Sequence, residues 1–114
     1  MGFRELEKQR IKKIVGEYCD GKIPDHIRHQ IRLFYKIRGN DVSIIESRPH
    51  FINKNEWTES PVARMRFDSE SINWQLFWRR ANGRWEKYTH FKPTKSLQAL
   101  IDEIEKDPWH VFWG

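Results

Sequence analysis

Alternation of apolar and polar residues is strongest between residues 61 and 91, where it predicts three strands: residues 62–67, 72–79 and 84–90. Side chains of a strand point alternately to its two faces, so this period of two indicates a sheet with one apolar face. Ser69-Glu70 and Asn82-Gly83 are predicted as two-residue loops. Asn-Gly suits such a loop because both residues tolerate the positive φ of a type I′ turn.

Two further strands and two helices follow from the same kind of pattern. Residues 31–38 and 42–48 alternate about a Gly39-Asn40 turn, which places Ile37 opposite Val42 and Leu33 opposite Glu46. Apolar residues recur at helical spacing in residues 3–20 and again in residues 95–106, for which Thr94 is the predicted N-cap.

This order predicts an α+β fold in a single domain, residues 1–114. Short hairpins make neighbouring strands antiparallel, so the five strands form an antiparallel meander. Each amphipathic helix needs an apolar surface, and one face of the sheet supplies it. We therefore expect two layers, with the N-terminal and the C-terminal helix packed on the same face.

The predicted registers divide the central strands into two faces. Met65 pairs with Trp74 across the first loop, and Arg79 pairs with Glu86 across the second. The helix-covered face would carry Ala63, Met65, Phe67, Ile72, Trp74, Leu76 and Trp78. The other face would carry Arg64, Arg66, Asn73, Gln75, Phe77, Arg79, Glu86, Tyr88 and His90.

This second face is the first candidate site, and its predicted binding residues are Arg64, Arg66, Gln75, Phe77, Arg79, Tyr88 and His90. Guanidinium groups interleaved with aromatic rings suit the phosphates and bases of single-stranded nucleic acid. Arginine is also common on a solvated antiparallel face, and the chain has no RNP-type aromatic motif and no GXXG loop. The net charge of +5 and the pI near 9.5 favour polyanionic partners but are also compatible with ordinary solubility.

Glu46, Arg48 and His26 form an alternative candidate site. The register places Glu46 and Arg48 on the apolar-facing side of their strand, where a carboxylate must be paired. With a nearby histidine this group would suit acid/base chemistry, whereas a structural ion pair needs only Glu46 and Arg48. A third hypothesis is a protein-interaction or regulatory domain, including a homodimer. It would use either Phe51 and Trp57 in a predicted loop over residues 49–60 or the aromatic C-terminal tail. The apolar tail, residues 109–113, is expected to pack back on the body.

Motifs of the common enzyme classes are absent from the sequence. The chain has one cysteine, Cys19, and no Ser-His-Asp elbow, Gly-rich phosphate loop or HExxH motif. We therefore predict no cofactor and no metal and favour a non-enzymatic role. The first residues lack the apolar region of a signal peptide, and no apolar run is long enough to cross a bilayer, so a soluble cytoplasmic protein is expected.

Five separated blocks of the chain carry a resemblance to a known family. The blocks are HIRHQIRLFY (26–35), IESRP (45–49), SPVAR (60–64), WRRANGRW (78–85) and DPWHVFWG (107–114). Together they resemble DUF3024, a family of short bacterial proteins of unknown function. The resemblance covers nearly the whole chain and implies a stand-alone bacterial cytoplasmic domain, without implying an activity. The residues to which it points are His26, Arg28, Arg32, Glu46, Arg48, Arg64, Arg80 and Trp85.

Overall fold

The computed structural model describes residues 2–113 and has the predicted order of helix, five strands and helix. Helix α1 (residues 5–22) consists of Glu5–Ile11, a π-helical stretch Lys12–Gly16 and Glu17–Lys22. A 3₁₀ turn, Asp25–Ile27, leads to the sheet. The strands are β1 (Arg32–Arg38), β2 (Asp41–Pro49), β3 (Trp57–Asp68), β4 (Asn73–Arg79) and β5 (Trp85–Lys87), and helix α2 (Leu97–Lys106) follows.

The sheet is the predicted antiparallel meander, with spatial order β1-β2-β3-β4-β5. The β1–β2 hairpin has the predicted register: Ile37 pairs with Val42 and Leu33 pairs with Glu46. Gly39 has a φ of 59°, whereas Asn40 has no positive φ. A positive φ at only the first of the two loop residues is typical of a type II′ turn, which explains why glycine comes first.

The register predicted between β3 and β4 is wrong by two residues. Met65 pairs with Leu76 instead of Trp74, because the loop has four residues, 69–72. The backbone N–H of Ile72 donates to the carbonyl of Asp68 at 2.8 Å, and the Asp68 carboxylate accepts from the Ser71 hydroxyl at 2.9 Å. A shift of two leaves the strand side chains of residues 63–67 and 73–79 on their predicted faces, since the period of a strand is two. The placement predicted for Ile72 on the helix-covered face is wrong, because Ile72 lies in the loop and its side chain is exposed.

The register predicted between β4 and β5 is wrong by one residue, and this error has larger consequences. Asn82 does not have positive φ, and Gly83 does, at 85°. The N–H of Gly83 donates to the carbonyl of Arg80, so the loop has the three-residue form in which a left-handed residue follows a type I turn. Arg79 therefore pairs with Trp85, and Glu86 instead lies 3.7 Å from Arg80.

Two glycines offer a matched test of this loop. Replacing Gly83 with alanine is expected to lower the free energy of unfolding by about 1 kcal/mol, because L-residues disfavour positive φ. Replacing Gly21 with alanine is expected to raise it by about 0.5–1 kcal/mol, since Gly21 lies in α1 and an added Cβ would meet nothing within 4 Å. Urea denaturation of the two variants measures both effects. A gain in stability for Gly83→Ala would contradict the loop geometry.

Both helices pack on one face of the sheet and bury a single hydrophobic core. Its largest fully buried side chains include Ile11, Ile44, Met65, Leu76, Tyr88, Leu100 and Ile104. Helix α2 begins at Leu97 and is capped by Ser96, whose Oγ accepts the Ala99 N–H at 3.2 Å. The predicted cap, Thr94, is wrong because its backbone is bridged to Trp74 at the edge of the sheet.

The C-terminal tail packs back on the body, as predicted. Phe112 is buried in the core, and the indole N–H of Trp113 donates to the carbonyl of Ile104 at 3.1 Å. Trp109 is an exception: it is exposed and stacks on His90, with 4.1 Å between the ring centres. No helix within residues 2–113 is long and apolar enough to cross a membrane.

Candidate polyanion-binding face

The sheet face opposite the helices, which we call the open face, collects most of the arginines of the strands. Alternation from the core-facing positions assigns to it Arg32, Phe34, Lys36, Arg38, Asp41, Ser43, Ile45, Ser47, Pro49, Trp57, Glu59, Pro61, Arg64, Arg66, Asp68, Asn73, Gln75, Phe77, Arg79, Trp85 and Lys87. Cationic residues outnumber acidic ones among these positions. Because α1 and α2 both pack on the other side, neither helix covers this face.

Three arginines of the open face lie against aromatic rings. The guanidinium carbon of Arg32 is 3.7 Å from the ring centre of Trp57, that of Arg64 is 4.4 Å from Trp85, and that of Arg66 is 5.0 Å from Phe77. Each pair joins different strands, so the sheet register positions it. A guanidinium group held against a ring loses little further freedom when it binds a ligand.

Ion pairs neutralise part of the positive charge on this face. Arg66 donates to both carboxylate oxygens of Asp41, at 2.8 and 3.3 Å, and these hydrogen bonds raise the pKa of Arg66. The ammonium of Lys36 lies 2.7 Å from the Glu59 carboxylate. These two cations are therefore already satisfied within the protein.

Five cations of this face form no ion pair with a residue in the range 2–113: Arg32, Arg38, Arg64, Arg79 and Lys87. Among them, Arg32, Arg64 and Arg79 lie against or directly opposite the stacked tryptophans. The Nε atom of Arg64 is buried and has no hydrogen-bond partner in the described part of the chain. A buried donor without a partner costs free energy, so Arg64 has an interaction to gain from an anion that reaches it.

Most of the predicted binding residues lie on the open face. Arg64, Arg66, Gln75, Phe77 and Arg79 all keep their predicted face. The Gln75 amide is already engaged, because it donates to the carbonyl of Leu76 at 3.2 Å.

Tyr88 and His90 are not on the open face, and their predicted placement is wrong. The one-residue shift of β5 turns Tyr88 into the core, where its hydroxyl donates to Glu103 on α2 at 2.6 Å. Burial and the Glu103 carboxylate both raise the pKa of Tyr88. His90 lies beyond β5 and contacts Trp109 of the tail.

Alternation along single strands does not predict the stacking of Arg32, Trp57 and Trp85, although the family resemblance points to Arg32 and Trp85. Trp57 is predicted in a loop, but β3 begins at Trp57 and the loop is shorter, residues 50–56. The predicted β5 register places Trp85 on the helix side, whereas Trp85 pairs with Arg79 on the open face. Arg32 shows the alternation of β1, but its distance in sequence from Trp57 hides their contact.

The alternative site is not assembled as a trio. Arg48 Nε donates to Glu46 at 2.8 Å, and the Arg48 side chain is 61% exposed, whereas that of Glu46 is 22% exposed. His26 lies in the 3₁₀ turn and forms no hydrogen bond or ion pair with either residue within the described chain. The contacts thus support the interpretation of Glu46 and Arg48 as a structural ion pair.

The described residues give little support to a reactive cysteine or to a metal site. Burial raises the pKa of the Cys19 thiol to about 12, which keeps it protonated at neutral pH. Within residues 2–113, no group of three or more His, Cys, Asp or Glu side chains is arranged to hold a metal ion.

The loop between β2 and β3 presents an apolar tip. Nδ1 of His50 accepts the backbone N–H groups of Ile52 and Asn53 at 3.1 and 3.2 Å. The side chains of Phe51 and Ile52 are 83% and 76% exposed. Hydrogen bonds within the loop therefore support two large apolar side chains that point away from the core.

A model of a domain of unknown function, DUF3024, matches residues 3–114 of the chain. No curated protein and no solved structure matches the chain.

Proposed function

We propose that this chain, which belongs to the DUF3024 family of domains of unknown function, is a non-enzymatic module that binds single-stranded nucleic acid or a similar polyanion on its open face. The observation that carries the proposal is the set of un-neutralised arginines beside aromatic rings. Arg32 and Arg64 are stacked on Trp57 and Trp85, and Arg79 lies in the next strand to Arg64.

The chemistry of these pairs fits an unpaired strand better than a duplex. A guanidinium group that lies on a ring keeps its N–H edges for phosphate oxygens and its second face for a nucleobase. Bases of a single strand are free to stack, whereas those of a duplex are already stacked on one another. A sheet face that neither helix covers also allows a flexible strand to follow the row of cations.

The salt dependence of binding tests this proposal. A fluorescently labelled oligouridine is expected to bind the full chain with an affinity that falls as salt rises. Three phosphate contacts, one each for Arg32, Arg64 and Arg79, predict a slope of about −2 in a plot of log affinity against log salt concentration, since each contact on a single strand contributes roughly −0.7. Fluorescence anisotropy measures this slope, and a duplex of matched length is the control. An affinity that does not change with salt would exclude the proposal.

A second candidate function, protein interaction, rests on the exposed Phe51 and Ile52 tip. If this tip joins two copies of the chain, the wild type sediments as a dimer and a Phe51→Ser/Ile52→Ser variant sediments as a monomer. Analytical ultracentrifugation compares the two. A wild type that is monomeric at high concentration would remove the homodimer from consideration.

A further inference from the structure

A separate concavity lies on the helix side of the molecule, between α1, the β3–β4 loop and the start of α2. Its volume is about 330 Å³, within the range of small-molecule sites. Apolar side chains make most of its wall, among them Phe3, Ile11, Phe67, Trp74 and Leu97. All of these belong to the core side of the sheet, so the concavity is independent of the open face.

The floor of this pocket is aromatic and preformed. The rings of Phe3 and Trp74 are stacked with 5.5 Å between their centres, and Phe67 lies 5.2 Å from Trp74. Phe3 and Trp74 are buried, and all three rings pack against the core. An apolar group that enters the pocket therefore meets a surface that does not have to reorganise.

Ile72, which also lines the pocket, has a backbone conformation that its side chain disfavours. Its φ is 57°, an outlier for a β-branched residue, and its side chain is left 58% exposed. Asparagine or glycine would adopt this positive φ at a lower cost in free energy, so the loop conformation alone does not explain isoleucine here. Strained residues of this kind concentrate at ligand sites, and an occupant of the pocket would cover the exposed Ile72 side chain.

The polar residues that line the pocket favour an anion. Arg10 and Lys95 both line it, and neither forms an ion pair with any residue in the range 2–113. Glu7 is the acidic residue of the lining, but its carboxylate already accepts the backbone N–H of Arg4 at 2.8 Å in the cap of α1. Two free cations thus face one engaged carboxylate.

From this combination we infer that the pocket binds a small amphipathic carboxylate. The apolar tail lies on the Phe3 and Trp74 floor, next to Ile72, and the carboxylate pairs with Arg10 and Lys95. Binding is reversible and involves no covalent step.

Octanoate is the probe, and 1-octanol and octylamine are its uncharged and cationic counterparts. Two-dimensional amide NMR spectra of the full chain are expected to show saturable shifts at Ile11, Ile72 and Leu97 with octanoate. Octanol is expected to bind about tenfold more weakly, because it lacks the charge-assisted hydrogen bonds. Octylamine is expected to bind more weakly still.

Three variants separate the two parts of the pocket. Arg10→Ala is expected to weaken octanoate about tenfold and to leave octanol unchanged, whereas Lys8→Ala, on the same helix but outside the lining, changes neither. Ile72→Asn, which suits the positive φ, is expected to weaken both probes. Absence of saturable binding, equal affinity for the three probes, or an unaltered Arg10→Ala variant would each overturn the inference.

Discussion

Replacing Asp107 with alanine is expected to lower the free energy of unfolding by about 3 kcal/mol. The Asp107 carboxylate is buried and accepts three backbone N–H groups, from Val111 at 2.8 Å, Phe112 at 3.1 Å and Trp113 at 2.8 Å. Alanine would leave these donors without their acceptor, in a turn that closes over the core. It would also have to adopt the φ of 41° that Asp107 has after the last turn of α2.

Urea denaturation measures this effect, and two further variants control for it. Asp107→Asn keeps one acceptor oxygen and tolerates positive φ, so it should cost about half as much. Asp102→Ala removes an exposed carboxylate from the same helix and should change stability by less than about 0.5 kcal/mol. An Asp107→Ala variant as stable as Asp102→Ala would show that the carboxylate does not hold the tail.

Neutralising Arg32, Arg64 and Arg79 of the open face is the second large effect that we expect. The variant Arg32→Gln/Arg64→Gln/Arg79→Gln should bind the labelled oligouridine about 100-fold more weakly, with a salt slope near zero. These side chains form no ion pair within residues 2–113, so their loss leaves no acid unpaired. Glutamine is preferred to glutamate because the Nε position of Arg64 is buried.

The matched control is Lys8→Gln/Lys12→Gln/Lys106→Gln, which removes the same charge from exposed helical positions. This variant should lose less than about threefold in affinity, because long-range attraction between exposed charges is screened by salt. If the two triple variants lost affinity equally, the loss would be due to net charge alone. That result would contradict a binding site on the sheet.

The sequence predicts the faces of β3 and β4 correctly even though their register is wrong. Met65, Trp74 and Leu76 face the core because a shift of two residues preserves the side of every side chain. The same argument explains the failure at β5. There the error is one residue, so Trp85 and Lys87 take the places on the open face that were predicted for Glu86 and Tyr88.

The Asn82-Gly83 pair does not decide between these registers by itself, since Gly83 suits both kinds of turn. Burial of the Tyr88 ring stabilises the fold by roughly 2–3 kcal/mol. This gain is larger than the difference in free energy between common types of turn. Its hydroxyl also finds an acceptor in Glu103, which lies 15 residues further along the chain on a separate helix. A preference set by such a distant partner cannot be read from the local pattern.

The candidate site was predictable only in part, for a similar reason. Arg64, Arg66 and Arg79 follow from alternation along single strands, whereas each stacked pair depends on a contact between strands. Trp57 precedes three polar residues, Thr58, Glu59 and Ser60, so the start of β3 has no alternating signal. This segment is a strand because it pairs with β2, and the same pairing brings Trp57 next to Arg32.

Binding of single-stranded RNA at the open face is tested by mapping where the RNA contacts the protein. Amide and indole NMR signals recorded during a titration with oligouridine give this map. We expect the indole N–H signals of Trp57 and Trp85 to shift together with the backbone amides of Arg32 and Arg64. The indole of Trp74, on the helix side of the sheet, should stay in place. Shifts confined to Trp74 and the two helices, or no shifts under low-salt conditions, would contradict binding at the open face.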